Sequence, residues 1–185
     1  MKFTHLIVMA IVSAILFTGC LTTEYKEYKF EFTGKGSGKL TIKYVNVMSK
    51  RDNEEITKKE EIDTDYAELL DKYVNGSEIE NAYPNAKLVS KRLFEENYKL
   101  CGEVVFEFTD ISQVNLYQYD KKSPLMYYLS SLSSEEFYQS NGKIGPDNMP
   151  VIFWDKGLKS LTLTTKVTEQ NEETTSMLDM WKRNK

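Results

Sequence analysis

The sequence predicts an α+β domain built on a mostly antiparallel, curved sheet, and three patterns carry that prediction. Apolar and polar residues alternate with period two at Tyr28, Phe30 and Phe32, at Leu40, Ile42 and Tyr44, at Val104, Phe106 and Phe108, and from Leu161 to Val167, marking strands with one buried face. Two stretches, an early helix at about residues 65–75 and the tail after residue 172, instead carry the stripe of an amphipathic helix. Glycine-rich and Asn-Gly turns separate the strands by short connections, the kind that join antiparallel neighbours.

The chain opens with an address. Lys2 precedes an unbroken run from Leu6 to Phe17 and then Thr18-Gly19-Cys20, the charged, apolar and small-residue order of a secretory signal. The run holds about 12 apolar residues, short of the roughly 20 that span a bilayer. Its end, Leu16-Phe17-Thr18-Gly19-Cys20, resembles a bacterial lipobox, with Phe17 where that family has a smaller aliphatic residue and Leu16 one place early. The resemblance implies that residues 1–19 are removed, that Cys20 is lipidated and that residues 20–27 form an acylated, polar tether. An uncleaved signal anchor is the alternative, and either form tethers the domain to a membrane. The diacylglycerol of such lipoproteins, carrying chains such as palmitate, gives two or more acyl groups and stable attachment. Leu21 rather than Asp after Cys20 implies the outer membrane in a cell that has two.

Composition sets the exclusions. With 19 of 185 residues removed, 166 remain, enough for a single α+β domain over residues 28–185. Loss of Lys2 takes the formal charge from −4 to −5, which gives nucleic acid phosphates no global attraction. The chain is 41% hydrophobic and 12% aromatic, ample for a packed core. Its one histidine, His5, lies in the signal. The mature chain therefore lacks imidazole for catalytic triads, zinc or haem ligation, or general acid and base chemistry. No metal or cofactor is implied. Cys101 has no disulfide partner once Cys20 carries lipid, and it reads as a small apolar strand residue.

In chain order, residues 28–33 and about 39–48 form a hairpin around Gly34-Lys35-Gly36-Ser37-Gly38. That cluster is no phosphate loop, because Lys39 leads into a strand instead of a helix. Residues 49–61, dense in both charges, read as a solvated loop or frayed helix. Asp65 with Glu68 reads as a capping box for the early helix, and Asn75-Gly76 as its stop. Asp63 and Asp65 lack the further ligand and glycine of a calcium loop. A helical turn before Pro84 is followed by strands at 86–94 and 103–109, with Glu95-Glu96-Asn97 at the bend. Asp110 can cap a short helix ending near Leu116. Strands follow at 125–132, 137–139, 151–154 and 158–167, with Asn141-Gly142 as the clearest hairpin signal. The tail places acids first, Met177, Leu178 and Trp181 on one stripe, and Lys182 and Arg183 last, matching the helix dipole.

This layout, with the glycine-rich first hairpin and the strand ending Phe106-Glu107-Phe108-Thr109-Asp110, is similar to the domain of LppM-type bacterial lipoproteins. The similarity implies an envelope lipoprotein that contacts lipid, and it brings no catalytic motif. The expected function is a non-catalytic envelope lipoprotein that binds a lipid or other amphiphile at a membrane surface. The alternative is a structural or assembly lipoprotein that recognises another envelope protein. A carboxylate-based hydrolase, drawing on Glu54-Glu55, Glu60-Glu61, Glu95-Glu96 or Glu135-Glu136, is the third class, and adjacent residues on a strand point to opposite faces. The candidate ligand-binding residues are Tyr117, Tyr119, Tyr127, Tyr128, Phe137, Tyr138, Phe153 and Trp154. Whether they line a cavity or form a flat patch separates the first two classes.

Overall fold

The structure, a computed structural model, describes residues 21–51, 57–129, 135–146 and 149–185. The predicted signal, Cys20 and the Glu54-Glu55 pair lie outside those residues. Two long strands, β1 (Leu21–Phe32) and β2 (Gly38–Lys50), make the predicted hairpin, paired from Leu21↔Ser49 to Phe32↔Gly38. At Gly38 a Cβ would collide with the carbonyl oxygen of Glu31, so the strand can restart there only without a side chain.

After β2 come α1 (Lys58–Glu68), a π-helical turn Leu69–Val74, and α2 (Glu78–Asn81). Strands β3 (Lys87–Glu96) and β4 (Lys99–Phe108) form a second hairpin. A short 3-10 turn, Ile111–Val114, leads into β5 (Leu116–Tyr117) and β6 (Leu125–Tyr128). The chain continues through β7 (Glu136–Ser140), β8 (Lys143–Ile144), β9 (Val151–Trp154), β10 (Ser160–Lys166) and β11 (Thr174–Ser176) to α3 (Leu178–Arg183).

All strand pairs are antiparallel. The large sheet runs β3-β4-β2-β1-β10-β7, with β11 on the end of β2, and a small sheet runs β5-β6-β9-β8. The fold class is therefore α+β with a mostly antiparallel sheet, as the alternation predicts.

Register explains where the core sits. Phe30 faces Leu40 and Leu161, and Leu40 faces Phe106, so one apolar row crosses four strands. The next row is Leu163, Tyr28, Ile42 and Val104, and all eight side chains are buried. Fully burying one such residue stabilises by about 1.5–3 kcal/mol. The small sheet closes over this face through Trp154 and Tyr127, whose rings lie 6.3 and 6.1 Å from that of Phe30. Tyr83 lies 5.1 Å from Phe106, which brings α2 onto the same face.

Several expectations are corrected. Residues 21–27 are no tether. They form the first half of β1, with Leu21, Thr22, Thr23 and Lys26 buried, because β2 and β10 pair with them and satisfy their polar groups. Thr23 Oγ1 donates to the Val45 carbonyl at 2.6 Å, and the Thr22 and Thr168 hydroxyls meet at 2.5 Å. The early helix starts at Lys58 instead of Asp65. Its capping box is Thr57 with Glu60, the same three-residue spacing as Asp65 with Glu68 but about two turns earlier, and Asp65 is buried within the helix. The helical stretch ends at Val74, and Asn75-Gly76 follows it without the left-handed conformation expected of that pair, Asn75 having φ −93°. The strand at 125–132 stops at Tyr128, and residues 130–132 lie outside those described. The tail helix is preceded by β11, and Glu61, read as solvated, is buried.

Candidate functional site

The third row across the large sheet turns polar. Thr165 faces Lys26, Lys26 faces Tyr44, and Tyr44 faces Gly102. Glu135, arriving just before β7, closes this row. Lys26 Nζ donates to Glu135 Oε1 at 2.6 Å, while Thr165 Oγ1 and the Tyr28 hydroxyl donate to Oε2 at 2.7 and 3.0 Å. Burial pushes the Glu135 carboxyl up, but the Lys26 charge and the hydrogen bonds from Lys26, Thr165 and Tyr28 outweigh it and hold it below the ordinary value.

Tyrosines surround the pair. The Lys26 ammonium lies 5.8 Å from the Tyr44 ring centroid, and the Tyr127 hydroxyl hydrogen-bonds Tyr83 and Tyr28. Burial raises Tyr28, Tyr83, Tyr44 and Tyr127, with the Glu135 charge adding to it in each, and pushes Tyr73 up to about 12. Both carboxylate oxygens are occupied by donors, so this cluster holds the chain around Glu135 against β1 and β10. Sequence reading misses it because Lys26 stands in a stretch that looks like a tether. The available signal is that Lys26 falls on the same face as Tyr28 and Phe30.

The predicted aromatic set does not converge. Tyr127 and Trp154 point into the core, and Phe137 packs against the core's edge. Tyr138 lies on β7 with its ring 5.0 Å from that of Tyr25 and tilted against it, on the other face of the large sheet from Glu135. Tyr117, Met126 and Phe153 pair in register across the small sheet on its face away from the core, next to Tyr128 and Val151. Tyr117 is 57% exposed, Tyr128 58%, and Tyr119 in the following loop 77%. The eight residues thus divide into a core group (Tyr127, Phe137, Trp154), an open face of the small sheet with its loop (Tyr117, Tyr119, Tyr128, Phe153), and Tyr138 apart on the large sheet.

Lysines rim that face. Lys143 pairs in register with Phe153 and lies 3.9 Å from Asp155. Lys121 and Lys122 sit exposed in the loop after Tyr119, with Lys156 close enough to act on Asp120. Asp120 is held below the ordinary carboxylate range by the Lys122 N–H and by Ser123, with the Lys156 charge adding to this. Its carboxylate is thereby taken up in the turn.

Asn141-Gly142 fixes the small sheet to the large one, which corrects its reading as a hairpin. β7 pairs with β10 in the large sheet and β8 with β9 in the small sheet, so the dipeptide is the point where the chain changes sheets. The same polar, left-handed-tolerant residues serve both uses, and here the side chain decides. Asn141 Oδ1 accepts from Trp154 Nε1 and from the Thr162 N–H, both at 2.8 Å, and its Nδ2 donates to the Ser160 carbonyl at 3.0 Å. A Cβ on Gly142 would stand 2.6 Å from the Phe153 carbonyl oxygen.

The paired acids separate as adjacent strand or helix residues do. Glu60 caps α1 while Glu61 is buried, Glu95 pairs with Lys182, Glu96 with Lys43, and Glu136 is exposed while Glu135 is inside. Cys101 is buried in β4, and burial pushes its thiol up. Among the described residues no group of three or more His, Cys, Asp or Glu could hold a metal, and no helix is long and apolar enough to cross a membrane. No protein-family model matches the chain, and neither curated proteins nor solved structures give a significant match.

Proposed function

We propose that the chain is a lipid-anchored, non-catalytic lipoprotein of the cell envelope that binds another envelope component through the open face of its small sheet. One observation carries the reading: Tyr117 and Tyr128 stand exposed on one face beside Phe153, with Tyr119 exposed in the adjoining loop, while Tyr127 and Trp154 are spent on the core. A lipid pocket would need those rings around a common cavity. The division of the rings favours surface recognition over the pocket. The absence of imidazole after residue 19, with Glu135 fully hydrogen-bonded, argues against hydrolysis.

Position adds to this. β1 begins at Leu21, directly after Cys20, and reaches the small sheet at Tyr28, seven residues on. At about 3.3 Å per residue that contact stands roughly 23 Å along β1 from the lipidated end. A target beyond the anchoring bilayer suits that placement.

Two measurements test it. Cys20→Ala should move the protein from the detergent phase to the aqueous phase; equal partitioning, with the mass of an unprocessed chain, would remove the anchor. The full-length Tyr117→Ala/Tyr128→Ala variant should keep the wild-type melting curve and lose its crosslinks in intact cells. Retained crosslinks would place recognition elsewhere.

A further inference from the structure

We infer that the component bound by this face is an anionic glycan strand of the cell wall: pyranose rings stacked on the tyrosines, carboxylates met by the lysines. The inference rests on the binding reading above and gives it a chemistry. Sugar rings present flat C–H faces that pack on aromatic rings, and Tyr117, Tyr119 and Tyr128 offer such rings from a sheet and its loop instead of a groove. Their hydroxyls suit a target that is itself hydrated and rich in hydroxyl groups.

Charge points the same way. The chain as a whole is acidic, yet four lysines, Lys121, Lys122, Lys143 and Lys156, lie around the tyrosines against two carboxylates, Asp120 and Asp155, the latter 3.9 Å from Lys143. A local excess of lysine on an acidic protein selects anionic targets.

With exposures of 57%, 77% and 58%, Tyr117, Tyr119 and Tyr128 offer on the order of 400 Å² of surface, which suits a few sugar rings. A bilayer is disfavoured because Trp154, the tryptophan of the small sheet, points into the core, and the anchored end of β1 lies away from the face.

The test is co-sedimentation of the full-length protein, in detergent, with purified insoluble peptidoglycan. Parallel arms use chitin, which has neutral rings, and vesicles containing one-quarter anionic phospholipid. Wild type should pellet with peptidoglycan more than with chitin, and less as salt rises. Tyr117→Ala/Tyr128→Ala should weaken pelleting by about tenfold, the product of two lost stacking contacts. Lys121→Glu/Lys122→Glu should weaken it on peptidoglycan and leave the chitin arm unchanged. No pelleting with peptidoglycan, while Tyr128 crosslinks to a protein in cells, overturns the glycan and keeps the binding face. Pelleting with vesicles alone replaces the glycan with a lipid surface. Pelleting that both double variants retain overturns the inference and the face together.

Discussion

Glu135→Ala should be the most damaging single substitution at a polar position, costing about 3–5 kcal/mol of stability because it leaves the Lys26 ammonium buried without its counter-charge. Lys26 and Glu135 side chains are only 11% and 14% exposed, so water cannot take over the pairing. The same substitution also leaves the Tyr28 and Thr165 hydroxyls without their acceptor. Glu135→Leu with Lys26→Met should recover most of the loss, since an apolar pair of similar volume removes both charges. Chemical denaturation of wild type and the two variants checks this, and equal destabilisation by the single and double changes would count against a buried pair.

The pH dependence follows in sign. The folded-state carboxyl titrates below its ordinary value, so the unfolded chain takes up the proton first as pH falls. The contribution of Glu135 is complete above about pH 4.5 and disappears as pH falls through the lower folded-state value. The stability gap between wild type and Glu135→Gln should therefore be constant near neutrality and close in acid.

Trp154→Ala should cost about 3–5 kcal/mol, as burial of a large aromatic requires. Trp154 is fully buried, packs edge-on against Phe30, and donates to Asn141 at the crossing between the sheets. Its loss both opens a cavity and frees the small sheet from its pivot. Tyr128→Ala, at a position 58% exposed on the same sheet, should stay within about 0.5 kcal/mol of wild type. Thermal melts of the two variants separate core from surface among residues that the sequence groups together. Equal melting temperatures would contradict that division.

Much of this architecture is legible in the chain. The period-two runs at Tyr28–Phe32, Leu40–Tyr44, Val104–Phe108 and Leu161–Thr165 become the rows of the large sheet, because alternation sets the buried face directly. Thr22, Thr23 and Lys26 mislead because their polarity is satisfied by partners about 22 to 146 residues away, which no local pattern announces. Asn141-Gly142 misleads for a different reason: its turn chemistry is real, while the sheet each flanking strand joins is decided by long-range pairing. The candidate site is half legible. Aromatic content marks the region around Tyr117–Tyr128 and Phe153, but only the register Tyr117↔Met126↔Phe153 tells which rings face out.

The central claim is that the open face of the small sheet is the binding surface. A photo-crosslinking residue placed at Tyr128 in the full-length protein, expressed in its own cells, tests it most directly beside the same residue placed at Val105 on the uncovered face of the large sheet. The account predicts a discrete adduct from position 128, on peptidoglycan or on a single envelope protein, and none from position 105. Adducts from position 105 with none from position 128 would contradict it.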